Sequence, residues 1–158
     1  MNIRPATSLD LPAIAALHGA ITAELHALAP TGFGGALETL PGRGDVAGKF
    51  RDMLDDSDCV LLVAEEDARV IGYASGWREA HDDDVIAAPF FTIEYVSVQA
   101  EQRGHGAAHE LVAALEAEAR RRGLGRVDIR VLEANTHARE LYAGLGYHPL
   151  EMRLGKVL

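Results

Sequence analysis

The stretch Phe90-Phe-Thr-Ile-Glu-Tyr-Val-Ser-Val98 runs into Gln99-Ala-Glu-Gln-Arg-Gly-His-Gly-Ala-Ala108, and then into Leu111, Val112, Leu115 and Ala119; its reading decides the fold. The first nine residues are rich in β-branched and aromatic types, which suit a pleated, half-buried surface and predict a strand. The last four repeat at helical spacing and predict a helix from about residue 106 to 122, with Gly123 placed for a left-handed stop. Between them two glycines and two alanines crowd the turn that opens the helix. Small residues there let a ligand approach the backbone, and the unpaired N–H groups and dipole of a helix start attract an anion, for which a diphosphate is the obvious candidate. No Gly-Lys-Ser/Thr ends the loop and no Gly-x-Gly-x-x-Gly is present, so two nucleotide-binding readings are set aside.

Upstream, Cys59-Val-Leu-Leu-Val-Ala-Glu65 and Val70-Ile-Gly-Tyr-Ala-Ser-Gly-Trp77 read as the two strands of a hairpin, and residues 90–98 as a third antiparallel strand beyond the turn-like His81-Asp82-Asp83-Asp84. Ile3-Arg4-Pro5-Ala6 is a short first strand. Thr7 or Ser8 then caps a helix carrying Leu11, Ile14, Ala15, Leu17 and Ile21 at helical spacing, with Pro12 in its first turn. Residues 29–44 are rich in Gly and Pro and predict a mobile loop of the kind that borders a ligand, followed by a short helix at 45–55. Downstream come a strand at 127–132, a helix at 136–143 ended by Gly144 or Gly146, and a last strand at 147–157. The order βα(α)βββαβαβ describes one α/β domain of the α+β type over residues 1–158, a mixed, mostly antiparallel sheet flanked by helices.

A chain of 158 residues is long enough for one compact core and too short for two ordinary domains, so every site must stand on a single scaffold. No stretch reads as apolar for the length of a membrane span, the start of the chain lacks the apolar core of a signal peptide, and the lone Cys59 cannot form an internal disulfide. A soluble, cytoplasmic protein without a membrane partner is expected. The formal charge of -9 opposes non-specific binding to nucleic acid, which is therefore not expected as a partner. Basic residues gather in the second half (Arg103, Arg120, Arg121, Arg122, Arg126, Arg130, Arg139) and acidic ones earlier, among them Asp82, Asp83 and Asp84. That asymmetry suits an anionic cofactor toward the C-terminal half and a cationic substrate near the acidic segments, where Glu24 or Glu38 could join the aspartates. A solvated surface of mixed charge reads the same residues without function.

Two clusters together resemble a known family. Arg103-Gly-His-Gly106-Ala-Ala108 looks like the Gln/Arg-x-x-Gly-x-Gly/Ala signature of the GNAT N-acetyltransferase superfamily, standing at the expected distance after the strand. Asn135-Thr-His-Ala-Arg-Glu-Leu-Tyr142-Ala-Gly-Leu-Gly146-Tyr147 is similar to its second signature, Asn-x-x-Ala-x-x-Leu-Tyr-x-x-x-Gly-Phe/Tyr. Carried over position by position, the resemblance implies that Arg103 opens a cradle in which the backbone amides of Gly104, His105, Gly106, Ala107, Ala108 and His109 hold the pyrophosphate of acetyl-CoA. It further implies that Val96, Ser97 and Val98 run beside the pantetheine arm, held through the backbone of Val96 and Val98, and that Asn135 touches the cofactor. Tyr142 would protonate the departing thiolate, and an amine of a small molecule or a peptide would be the acceptor. A homodimer is compatible with the resemblance, and no metal is called for. Ala108 departs from the commonest residue, glycine, without removing the amide contact.

The chemistry asks for the same residue types. A neutral amine must attack a thioester carbonyl, which needs a proton acceptor for the amine, N–H groups for the oxyanion and a donor for the thiolate. No covalent intermediate is required, so Cys59, in an apolar strand, reads as a structural thiol. His105 and His109 have a metal-compatible spacing but no third ligand in the motif. Glu94 is the candidate general base: simple strand alternation places Glu94, Val96 and Val98 on one face. Its other reading is an ion pair, for instance with Arg78. Tyr142 could instead pack in the core, and Asn135 could be a helix cap. An acyl-CoA-binding regulatory module that keeps the cradle without catalysis is the alternative to an enzyme.

Overall fold

The computed structural model of the chain describes residues 1–29, 46–79, 88–152 and 154–156. The expected loop at 29–44 apart from Ala29, together with His81, Asp82, Asp83, Asp84 and Glu38, lies outside them. Among the described residues five strands form one sheet in the order β1 (Asn2–Pro5), β2 (Cys59–Glu66), β3 (Arg69–Glu79), β4 (Phe90–Val98), β5 (Val127–Ile129). The first three pairings are antiparallel and β4–β5 is parallel, the mixed α+β sheet that the sequence predicts. Helices α1 (Leu11–Leu28), α2 (Val46–Asp55), α3 (Ala107–Arg121) and α4 (Thr136–Gly144) cover it.

The layers follow from which face each strand residue takes. Leu61 and Val63 of β2 meet Leu11, Ile14, Leu17, Phe50 and Met53 of α1 and α2 on one side. Val60, Leu62 and Ala64 meet Leu111, Val112 and Leu115 of α3, with Tyr142 of α4 in the same cluster, on the other. Buried on both faces, β2 must be apolar at successive positions, which is why its run does not alternate. Helix α1 corrects the expectation that no stretch is apolar for the length of a membrane span: Ser8–Leu28 has the length and, at a mean hydropathy of 1.2, the composition to cross one. In the fold that apolar surface includes Leu11, Ile14 and Leu17, which lie in the core against the sheet.

A 3-10 turn at Ser8–Asp10, capped through Thr7, feeds α1. Arg4 ties this turn to the sheet, donating to Asp10 at 2.8 and 2.9 Å while also holding Glu65 of β2. Arg4 thereby draws the buried Asp10 carboxyl down to about 2. The β2–β3 hairpin closes through Asp67 and Ala68, both with positive φ.

Two expected strands come out differently. The strand expected at 127–132 ends at Ile129, because its partner β4 changes course there. Beyond Ile93, paired with Ile129, β4 bulges: Gly76 pairs with Ile93 and Ser75 with Tyr95, leaving Glu94 as the extra residue. The expected last strand at 147–157 does not form among the described residues, and Leu150, Met152 and Leu154 are exposed there. A strand needs a partner edge, and β5 offers three residues.

Candidate active site

The bulge sets the geometry of the site. With β5 ended at Ile129, β4 continues from Glu94 to Val98 with a partner only on its β3 side. Gln99 donates its amide to Ile71 at 2.8 Å, so alternation along an antiparallel strand turns the backbone groups of Val96 and Val98 toward the opposite, open edge. Ser97, between them, points its hydroxyl at the Leu17 carbonyl of α1. A strand edge with free peptide groups along one side is what an extended ligand arm can pair with.

The open edge leads to the turn before α3. Gly104 and Gly106 stand at φ +79° and +89°, a region that side chains other than glycine rarely adopt, and a Cβ at either would meet open space. From Gly104 onward, the first amide with a backbone acceptor is that of Glu110, on the Gly106 carbonyl at 3.0 Å. The amides from Gly104 to His109 thus remain available to an anion before the positive end of a 15-residue helix. Arg103 fixes the turn from behind: its Nε donates to the Val98 carbonyl at 3.1 Å and its guanidinium pairs with Glu24 of α1 at 2.7 Å. Val98 therefore offers the open edge its amide more freely than its carbonyl. A cleft of about 490 Å³ adjoins the same turn on the α1 side, lined by Ala13, Ala16, Leu17, Ala20, Ser97 and Val98 among others.

Tyr142 reaches the core from α4 on the α3 side of the sheet, edge-on to Tyr147 with ring centroids 5.8 Å apart. Its hydroxyl has no hydrogen-bond partner among the described residues, and burial pushes its ionisation up to about 12, so it holds its proton at neutral pH. Asn135 is the N-cap of α4, accepting from the Ala138 amide at 3.2 Å. The cap uses its carbonyl oxygen and leaves its amide nitrogen available.

Glu94 does not share a face with Val96 and Val98, as simple alternation predicts. The bulge turns Glu94 and Tyr95 together toward α1 and α2, while Val96 and Val98 pack toward α3. Nor is its partner Arg78: Lys49 of α2 donates to Glu94 Oε1 at 2.8 Å, and the buried Oε2 has no partner among the described residues. Lys49 also lies 4.8 Å from the centre of the Tyr95 ring. Beneath them His18, buried, meets the Tyr73 hydroxyl at 2.8 Å; burial, helped by the Lys49 charge, lowers its pKa to about 4 and keeps it neutral. Sequence reasoning missed Lys49, His18 and Tyr73, since the first stands beside the Gly-rich segment and the others look like core spacing. Cys59 is half-buried and its thiol is pushed up to about 11, chiefly by burial, which leaves it a poor nucleophile.

Glu94 and Tyr142 lie on opposite faces of the sheet, the first paired with Lys49 of α2 and the second in the cluster under α3. A carboxylate on one side and a protonated phenol on the other suit a group transfer in which a nucleophile loses a proton on one side and a leaving group gains one on the other.

A family model described as the acetyltransferase (GNAT) family matches residues 25–147. Among solved structures, an aminoglycoside 6'-N-acetyltransferase from Acinetobacter haemolyticus superposes with a TM-score of 0.77 at 16% identity, covering 100% of this chain and 98% of that one. An aminoglycoside N-acetyltransferase in complex with CoA gives 0.76 at 16% identity, covering 99% and 98%. A transcriptional regulator from Bacillus halodurans gives 0.70 at 21% identity, covering 99% of each chain. At these identities the likeness speaks for the fold.

Proposed function

The chain belongs to the acetyltransferase (GNAT) family, and from that premise we propose that it transfers an acetyl group from acetyl-CoA to a primary amine by direct attack, with no covalent enzyme intermediate. The observation that carries this reading is the run of available amides from Gly104 to His109, reached from the edge of β4 that β5 leaves open beyond Ile129. The cofactor's pyrophosphate fits that run because Gly104 and Gly106 leave open space where a Cβ would stand. The backbone of Val96 and the Val98 amide would align the pantetheine arm, with Asn135 touching it from the start of α4 and the acyl carbonyl polarised by an N–H of the open edge.

Glu94 takes the proton of the acceptor amine, directly or through a water, and Tyr142 gives its proton to the departing sulfur. Tyr142 carries its proton before the step, as a donor must. An amine acceptor agrees with the aminoglycoside acetyltransferases among the similar folds, and with an anionic carboxylate beside the open edge of β4. Thiol release from acetyl-CoA against a broad panel of amines tests the proposal. Amine-dependent release is expected; tight binding of CoA with no turnover on any amine would leave a regulatory acyl-CoA-binding module instead.

A further inference from the structure

The amine that already sits on Glu94 belongs to the chain itself. Resting on the acetyl-transfer reading above, we infer that Lys49 is an acceptor in its own right, and that the protein acetylates this lysine in cis. Four observations converge. Lys49 Nζ is 2.8 Å from Glu94 Oε1, the carboxylate assigned to take a proton from the acceptor. Glu94 is the bulged residue at which β4 parts from β5, so the ammonium stands beside the start of the strand edge along which the acyl-CoA arm would lie. The Tyr95 ring lies 4.8 Å from Nζ, and the lysine and glutamate side chains are only 22% and 19% exposed, which confines the amine to this position. The chain has two lysines, Lys49 and Lys156, among 15 basic residues, and the rest, all arginines, cannot serve as nucleophiles in this way, which leaves Lys156 and the N-terminus as the competing amines.

The step balances as an ordinary aminolysis. Glu94 takes a proton from the ammonium, the neutral Nζ forms a bond to the acetyl carbon, and the carbon–sulfur bond breaks. Of the two protons that Nζ sheds, one ends on the CoA sulfur by way of Tyr142 and the other reaches solvent through Glu94. The product has an uncharged amide where the ion pair was, which releases Glu94 Oε1 to an external amine. Self-acetylation would then act as a priming event, converting a site closed by its own lysine into one open to acceptors.

The test is intact-protein and peptide mass spectrometry after incubating the folded protein with acetyl-CoA and no added amine. One acetyl group is expected, on Lys49, at a rate independent of protein concentration; it should be absent from Lys49→Arg and slowed about ten-fold or more in Glu94→Gln. Acetylation spread equally over Lys156 and the N-terminus, or unchanged in Glu94→Gln, would overturn the inference as mere chemical acetylation. A protein that acetylates an added amine while Lys49 stays unmodified overturns the inference and leaves the acetyl-transfer reading intact. Failure to bind acetyl-CoA at all would overturn both.

Discussion

Glu94 and Val96, two positions apart on one strand, face opposite sides of the sheet. In a regular strand they would share a face; the extra residue at the bulge shifts the phase and sends the carboxylate toward α2 while the backbone of Val96 stays on the open edge. That separation puts a carboxylate beside the open edge of β4 without filling it.

Glu94→Gln keeps the shape and removes the basicity. Turnover should fall by about 10- to 1000-fold while acetyl-CoA binding stays nearly intact, and the acidic limb of the pH–rate profile should change. Wild-type turnover with an unaltered acidic limb would pass the role to a water chain or to another carboxylate.

Tyr142→Phe deletes a hydroxyl that makes no hydrogen bond among the described residues, so thermal stability should hardly move. If that hydroxyl protonates the leaving thiolate, turnover drops by about 10- to 1000-fold. Equal turnover in both forms would reduce the residue to its packing against Tyr147.

Gly106→Val places a β-branched side chain at φ +89°, in the space where an anion would approach the amides. The Michaelis constant for acetyl-CoA should rise about ten-fold or more, measured on protein shown by circular dichroism to be folded. Unchanged cofactor affinity would remove the cradle from the account.

Gly76 lies opposite the bulge, and a Cβ there would come within 2.5 Å of both the Phe91 ring and the Thr92 carbonyl. Gly76→Ala must push β3 and β4 apart, a loss of about 1–3 kcal/mol read by denaturant unfolding. Because the same shift moves the bulge, turnover should fall with it; an equally stable variant would contradict the close approach of the two strands.

Asp10 carries a pH signature. Its carboxyl is held at about 2 by Arg4, below the ordinary 3.8, so the folded state binds its proton less readily than the unfolded chain. The resulting stability, about 2 kcal/mol, is fully present above pH 4 and disappears as pH falls toward 2. Asp10→Asn should lower stability near neutrality by about that amount and flatten the acid limb of a urea-unfolding series over this range. The same acid limb in both proteins would show that the pair contributes nothing.

Strand β4, the glycine turn and α3 were legible in order and nearly in extent from residues 90–123, since their signals are local: β-branched residues prefer a pleat, glycine alone settles at positive φ, and apolar spacing marks a helix face. The cap at Asn135 was likewise among the readings open to the sequence. By itself, then, the sequence determined the family, the element order as far as α4 and the candidate cradle. Tertiary structure decided where the strands end and which way Glu94 points. The bulge exists because two antiparallel strands differ by one residue in count, and that mismatch appears only when Ser75 and Tyr95 are paired. It ended β5 at Ile129, and with so short an edge the described residues after α4 join no strand. It also brought Lys49, 45 positions away in the chain, onto Glu94, a long-range meeting of opposite charges that no local pattern encodes.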